Sequence, residues 1–383
     1  MTACLFGTYV GPHSANRLLR LALAGAGWDV VDCHAPLWED TRDKDARYFA
    51  SGSLVRLGVR WARAMRGVVR RWRALGGPPP LVVVGFGGQL DVLLARRVCR
   101  PRAGLVFAPL VSLTETLVED RRIFPAGGMR ARAVAALDRA TWRAADVTLA
   151  DTAAHARYLV ELGAPRERVA VWHLGVEPEF LPARAARPAP RRVLFYGRHL
   201  PLHGVETIVD AAGRLAGRAD FELIGGGPER AAAEARAQRI GAQVRWRDDV
   251  PLTSLPGELA TASVVLGAFG AGRKAAVVVP NKVWQAAAVG RPLVTRKGPA
   301  LREVLRPGDH CVTCPAADPE ALAAAVAALL DDQRSAEEMG RAARAHVLDE
   351  FGPARQAVRL AAIVRERFGV LPPQPVVARA ADA

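Results

Sequence analysis

Lysine is nearly missing from this chain of 383 residues, which has four of them against 49 arginines. A bias of that kind, expected of GC-rich coding, makes the surviving lysines informative, and Lys274, Lys282 and Lys297 fall close together. Cysteine is scarce as well. Cys4, Cys33, Cys99, Cys311 and Cys314 are odd in number and scattered, which excludes a disulfide framework and fits reduced thiols. No run of about 18 apolar residues occurs, so a spanning helix is not expected. Met1-Thr2-Ala3-Cys4-Leu5 leads straight into a strand without a basic signal region, and the expected location is the cytoplasm. No internal repeat of about 20–50 residues appears, which argues against a solenoid. Gly7-Thr8-Tyr9-Val10-Gly11 lacks the glycine spacing that a dehydrogenase needs after its first strand. Acidic residues are outnumbered, giving a net charge of +15 and a pI near 10.7. Anionic partners follow from that charge: nucleic acid, an anionic membrane surface or phosphorylated small molecules. A nucleic-acid binder needs a basic module with base-stacking aromatics, and none is visible, so nucleic acid is not expected as a partner.

What is present reads as globular, with 50% hydrophobic and 24% charged residues. The length fits two domains of roughly 150–200 residues. Short apolar runs alternate with helical patterns. Strands are expected at Ala3–Gly7, Asp29–Cys33, Leu81–Val84, Gly104–Phe107, Asp146–Ala150 and Arg168–Trp172. After a proline-rich stretch the alternation resumes at Arg192–Tyr196, Phe221–Ile224, Gln243–Trp246, Ser263–Leu266, Pro292–Thr295 and His310–Cys314. The fold class is therefore α/β, with two Rossmann-like, doubly wound parallel-sheet domains facing across a cleft. The expected division is a first domain at 1–177, a linker at 178–191 and a second domain at 192–350. A helix at 351–370 is expected to pack back on the first domain, and 371–383 to be a flexible tail.

Three segments carry chemistry. In Val193-Leu194-Phe195-Tyr196-Gly197-Arg198, a strand delivers a glycine and then an arginine at its carboxyl end, and His203-Gly204 follows before a helix. Arg198 there is placed for a two-pronged contact to phosphate. Phe221-Glu222-Leu223-Ile224 runs into Gly225-Gly226-Gly227-Pro228, where the glycines leave room for a ligand and Pro228 suits the first turn of a helix. In Val279-Pro280-Asn281-Lys282-Val283-Trp284-Gln285, Asn281 is a good N-cap and Gly290 a good stop. That helix start presents free N–H groups to a diphosphate beside Lys282 and Lys274. Gln285, one turn in, is placed to hydrogen-bond a ribose hydroxyl.

These segments, in this order, resemble the retaining GT-B glycosyltransferases, especially the large family four group of glycosyl transferases (group 1). Gly197-Arg198, His203-Gly204, Gly225-Gly226-Gly227-Pro228 and Gln285-Ala286-Ala287-Ala288-Val289-Gly290-Arg291-Pro292 match four of that group's motifs. The resemblance implies sugar transfer from a nucleotide-diphosphate-sugar, with retention of configuration, no metal ion and no further cofactor. It implies catalytic roles for Arg198 and Lys282. It implies donor contacts at Gly197, Arg198, His203, Gly225, Gly226, Gly227, Lys274, Pro280, Asn281, Lys282, Val283 and Gln285. The chain departs from the pattern in four places, one of them Ala108-Pro109, where the family often has a histidine or aspartate at the end of a strand of the first domain. His203 replaces a phosphate-binding lysine, Gln285 replaces a ribose-binding glutamate, and Val277 stands where a second glutamate is usual. A weakened or non-catalytic partner subunit of the same fold is the competing reading, with a basic nucleic-acid-binding protein behind it.

The acceptor, a glycan, a lipid-linked molecule or a small molecule, is expected on the first domain. His13, in the loop after the first strand, is a candidate base, and Glu115, Glu119, Asp120 and Arg121 are candidates for acceptor hydroxyls. Leu54–Leu75 holds seven arginines and no acid, with an apolar stripe through Leu54, Trp61, Met65, Val68, Trp72 and Leu75. Such a helix either lies on an anionic membrane, giving peripheral association at the inner membrane face, or packs its stripe on the sheet with the arginines in water. Cys311-Val312-Thr313-Cys314 has no second pair, so strand alternation explains it better than a metal.

Overall fold

The computed structural model describes residues 1–38, 53–99 and 103–370; the tail expected at 371–383 lies outside them, as do the side chains of Ser53 and Leu54. The chain divides into two compact units. Among the described residues, one comprises Met1–Val118, Arg122–Leu174 and 353–370, and the other Glu119–Arg121 and Gly175–Gly352.

In the first unit, β1 (Thr2–Gly7), β2 (Asp29–His34), β3 (Leu81–Val84), β4 (Gly104–Phe107), β5 (Val147–Ala150) and β6 (Val169–Val171) form one sheet in the order β2-β1-β3-β4-β5-β6. In the second, β7 (Arg192–Tyr196), β8 (Asp220–Ile224), β9 (Val244–Arg247), β10 (Val264–Leu266), β11 (Leu293–Arg296) and β12 (Val312–Cys314) are ordered β12-β11-β10-β7-β8-β9. Every pairing in both sheets is parallel, for example Arg192 opposite Asp220 through Tyr196 opposite Ile224. Parallel strands need crossovers. The helices of the first unit are α1 (Ser14–Gly25), α2 (Ser53–Arg73), α3 (Gln89–Cys99), α4 (Met129–Ala144) and α5 (Ala153–Glu161). Those of the second are α6 (Val205–Arg214), α7 (Arg230–Ile240), α8 (Leu255–Ala260), α9 (Arg273–Val277), α10 (Asn281–Val289), α11 (Pro299–Arg302), α12 (Pro319–Asp331) and α13 (Gln333–Phe351). The last helix, α14 (Pro353–Phe368), returns to the first unit, where Leu360 and Val364 join the core of α1 and β1.

The central strands are buried on both faces, which is why they read as unbroken apolar runs rather than alternating ones. Helices follow the three-to-four period: Leu18, Leu19, Ala22 and Leu23 of α1 point inward. Helix α2 inserts Met65, Val68 and Trp72 among Cys4, Phe6, Val82 and Val84, and the Trp72 ring meets Phe6 edge-on at 6.2 Å. The stripe thus packs on the sheet while Arg56, Arg60, Arg63, Arg66, Arg70, Arg71 and Arg73 remain exposed. Near the start of α2, Val55 and Val59 are also exposed, at 73% and 54%.

In each sheet the strand order reverses once. The second sheet turns at β7, whose neighbours are β8 on one side and β10 on the other. Loops at such a reversal splay apart, and ligands of open parallel sheets lodge there, beyond the strand carboxyl ends.

Two local expectations are corrected. Helix α7 begins at Arg230, so Pro228 stands in the turn before it rather than in its first turn. Pro280, not Asn281, occupies the N-cap of α10, because its extended backbone (φ −62°, ψ 144°) lets Asn281 be the first helical residue. Gly290 does end that helix, in the left-handed conformation at φ 82°.

Candidate functional site

The loop after β7 and the loop after β8 lean directly on each other. His199 N donates to Gly226 O at 2.9 Å, Glu229 N donates to His199 O at 3.2 Å, and Gly197 N donates to Ile224 O at 2.9 Å. A Cβ on Gly225 would lie 2.3 Å from Gly197 O, and one on Gly227 would lie 2.7 Å from His199 N. Both residues also have positive φ, at 117° and 153°, so only glycine fits either position. The glycine run therefore has two tasks: Gly225 and Gly227 allow loop to pack on loop, and Gly226 alone faces open space.

Next to this pair stands Lys282, in the first turn of α10. It is 4% exposed, with Nζ 4.7 Å from the centre of the Phe195 ring. A Cβ on Gly197 would sit 3.7 Å from Nζ, which puts the ammonium against the open backbone of the β7 loop. Among the described residues no hydrogen bond or ion pair is recorded for Lys282, and burial lowers its pKa to about 7. Most buried ammonium groups have a partner. This one does not.

His203 is buried beside it, with Nδ1 donating to Arg198 O, which leaves the ring in the Nδ1–H form. Burial first, and then the Lys282 charge, hold His203 well below the ordinary histidine range, so it is a neutral hydrogen-bonding group at neutral pH rather than a partial cation. Lys274 is buried on α9, with Nζ 3.9 Å from the carboxylate of Asp120, one of the three residues at 119–121 that group with the second unit. Arg121, from the same three, is lowered to about 10 by burial and by the charge of Arg198. Arg198 itself is half-buried at the end of β7. The structure thus gathers Gly197, Arg198, His203, Gly225, Gly226, Gly227, Lys274 and Lys282 at the reversal point of the second sheet. Pro280, Asn281 and Val283 surround Lys282 in sequence at the start of α10, where the Val283 N–H already donates to Pro280 O at 2.9 Å and the N–H groups of Asn281 and Lys282 come before the first helical acceptor.

Gln285 is held differently from the sequence reading. Its Oε1 accepts from the Tyr196 hydroxyl at 2.6 Å and its Nε2 donates to the Glu177 carboxylate. The carboxylate that helix α10 lacks is thereby placed beside it from the segment before β7. Sequence reasoning missed Tyr196 and Glu177, since no local pattern announces a pairing between positions 177 and 285. It also missed His199, which is fully buried with neither ring nitrogen hydrogen-bonded. Burial, then Arg230 and Lys282, lower His199 to about 4. A broad surface groove lined by Arg191, Asp220, Gln243 and Val244 lies at the amino-terminal ends of β7–β9, the wrong edge for ligand binding in such a sheet.

In the first unit, His13 caps α1, with Nδ1 accepting from Ala15 N at 3.2 Å and its ring 4.4 Å from Phe86. Glu115, on a π-helical turn at Thr114–Asp120, is fully buried and faces His155 Nε2 at 3.2 Å, while Asp151 faces Nδ1 at 2.6 Å. Burial works against a charge on His155, but the two carboxylates outweigh it and raise the ring to about 10. Glu115 is thus committed to an internal cluster and not to an acceptor. Among the described residues no group of His, Cys, Asp and Glu is arranged to hold a metal ion, and no helix is long and apolar enough to cross a membrane.

Two parallel six-stranded sheets with flanking helices define the GT-B glycosyltransferase fold. Residues 190–332 match the family model described as glycosyl transferases group 1, so the resemblance to group 1 glycosyl transferases holds over those residues. Sucrose-phosphate synthase from Thermosynechococcus elongatus superposes with a TM-score of 0.74 at 16% identity, over 96% of this chain and 99% of that one. The Anabaena protein Alr3699/HepE, in complex with UDP and glucose, superposes with a TM-score of 0.70 at 14% identity, over 96% and 100%. A glycogen synthase of Mycobacterium tuberculosis (strain CDC 1551 / Oshkosh) is 27% identical over 283 residues. That alignment takes in 70% of this chain and 66% of the relative's length.

Proposed function

We propose that this protein transfers a sugar from a nucleotide-diphosphate-sugar to an acceptor hydroxyl, with retention of configuration and without a metal ion. One observation carries the reading: Lys282, buried with no carboxylate beside it among the described residues, lies against the glycine that precedes Arg198, at the point where a parallel sheet reverses. An isolated buried charge is costly, and a diphosphate is the partner whose charge and size fit that position. The Anabaena protein of like fold has been crystallised with UDP and with UDP-glucose, which supports a uridine nucleotide as the first to test.

In this reading Arg198 and Lys282 hold the diphosphate and stabilise the charge that grows on it as the glycosidic bond to the sugar breaks. His203, neutral with its N–H turned to Arg198 O, can donate to the same oxygens only once Nε2 is protonated, and Lys274 and the start of α10 add positive potential. Gln285, fixed by Tyr196 and Glu177, orients the ribose. The departing oxygen takes the acceptor proton, and His13 belongs to the acceptor side. The acceptor is a glycan, a lipid-linked molecule or a small molecule.

The test is a thermal-shift and hydrolysis panel of UDP-, GDP- and dTDP-sugars with the full chain, run with and without a chelator. Hydrolysis of one nucleotide class, unaffected by chelation, is expected. Nucleotide binding without turnover in any acceptor screen favours the weakened partner subunit, and the absence of any nucleotide response removes the reading.

The arginine face of α2 supports peripheral association with an anionic membrane, with seven exposed guanidiniums and the exposed Val55 and Val59 on one helix. The protein is expected to co-sediment with phosphatidylserine-containing vesicles at low salt and to detach as ionic strength rises. No sedimentation at low salt sinks this association and leaves the donor site untouched.

A further inference from the structure

The β7–β10 crevice collects basic groups faster than it collects counter-charges. Lys282 on α10 lowers both His199 and His203 after β7, Lys274 on α9 adds to the effect on His203 and Arg230 of α7 to that on His199, while the Arg198 charge acts on Arg121. Acids stand among them as well, Glu229 beside Asp120 included. Asp120 lies against Lys274, and Asp249 and Glu234 act on His199. Lys282 has no carboxylate beside it among the described residues, and its one recorded partner is the face of Phe195.

We propose that filling this crevice with a nucleoside diphosphate is coupled to proton uptake, the proton entering on the Lys282 amine and, at lower pH, on His203. The inference rests on the donor-site reading above and adds to it how the site responds to pH. Its physical cause is mutual. Without the anion, burial leaves the Lys282 nitrogen with a lone pair through much of the population near and above neutrality. A diphosphate oxygen at that nitrogen favours the charged form, so the lone pair takes a proton from a buffer acid as the complex forms. His203 already donates through Nδ1 to Arg198 O, and a second proton can only enter at Nε2, giving it a donor to aim at phosphate. By linkage, affinity falls as pH rises through the free-state range of Lys282.

Isothermal titration of the full chain with UDP, GDP and dTDP at pH 8 tests this, in Tris and in Hepes, whose ionisation enthalpies differ widely. At that pH the nucleotide's own second phosphate ionisation, near 6, is complete and does not contribute. The expected result is an apparent enthalpy that differs between buffers by nearly one proton's worth, with affinity weakening about five- to tenfold between pH 7.5 and 8.5. In Lys282→Arg, whose side chain stays charged throughout, the buffer difference disappears and binding no longer weakens with pH. In Lys282→Met the buffer difference disappears and binding is weak at every pH; a melting curve no lower than that of the parent establishes that the variant is folded. Binding with the same enthalpy in both buffers and a flat pH profile overturns proton uptake and leaves the donor site standing. No binding of any of the three nucleotides overturns both.

Discussion

Arg198→Ala is expected to weaken nucleoside-diphosphate affinity and turnover by roughly 10–150-fold, about 1.5–3 kcal/mol for a lost charged hydrogen bond, while leaving the melting temperature unchanged or slightly raised. The second half of the expectation separates a binding role from a structural one. Arg198 follows a glycine at φ 114°, so the chain leaves β7 in a conformation set by Gly197 and by the loop-to-loop bonds at Gly226 and Glu229, not by the arginine. The side chain also repels Arg121, whose pKa its charge helps to lower. Removing it relieves that repulsion and leaves the backbone bonds of the loop in place. Arg198→Lys keeps the charge without the planar fork and should recover part of the affinity. An unchanged affinity in Arg198→Ala removes this residue from the site.

Glu222→Ala is expected to lower the stability of the second unit by roughly 3 kcal/mol, a drop of about 6–12 °C in its melting temperature. Four side chains there close a ring. Arg192 reaches Glu222 at 2.8 Å and Glu258 at 2.6 Å, and Arg247 reaches Glu222 at 2.6 Å and Glu258 at 2.7 Å. The ring ties β7, β8 and β9 to α8, and each guanidinium bridges both carboxylates. Burial alone would raise the Glu222 carboxyl, but the hydrogen bonds from Arg192 and Arg247 outweigh it and hold it low, and the bond from Arg247 likewise lowers Glu258. A depressed carboxylate stabilises the fold above its unfolded pKa, and that stability is lost as pH falls through the lower folded value. The parent should therefore lose stability on acidification below the ordinary glutamate range, and Glu222→Ala should lose less. Glu222→Gln, which keeps the shape but can accept from only one of the two guanidiniums, should fall between the two. Equal melting temperatures at neutral pH would show the ring to be energetically idle.

The fold class was readable in the sequence because buried parallel strands are short, apolar and regularly spaced. Leu81–Val84, Gly104–Phe107 and Arg192–Tyr196 match the expected bounds to the residue. Helix starts were less legible: α7 and α10 begin where the turns before them end, and those turns are fixed by neighbouring loops rather than by Pro228 or Asn281. The π-helical turn at Thr114–Asp120 left no periodic trace, since its anchor is the distant pair Asp151 and His155. At the candidate site, residue types and loop positions were legible, because glycines and cations at strand ends are local signals. Their states were not. That His203 is neutral, that Lys282 is unpartnered and that Gln285 is gripped by Tyr196 and Glu177 all depend on burial and on partners far along the chain.

The two glycine loops support each other so closely that neither is an independent part. With Gly225 against Gly197 O and Gly227 against the His199 backbone, a loop grafted alone from a relative that carries a Cβ at either position would meet this chain's main chain at under 3 Å. Chimeras built to change donor preference must therefore move both loops as a cassette, or leave both in place and vary the residues around them.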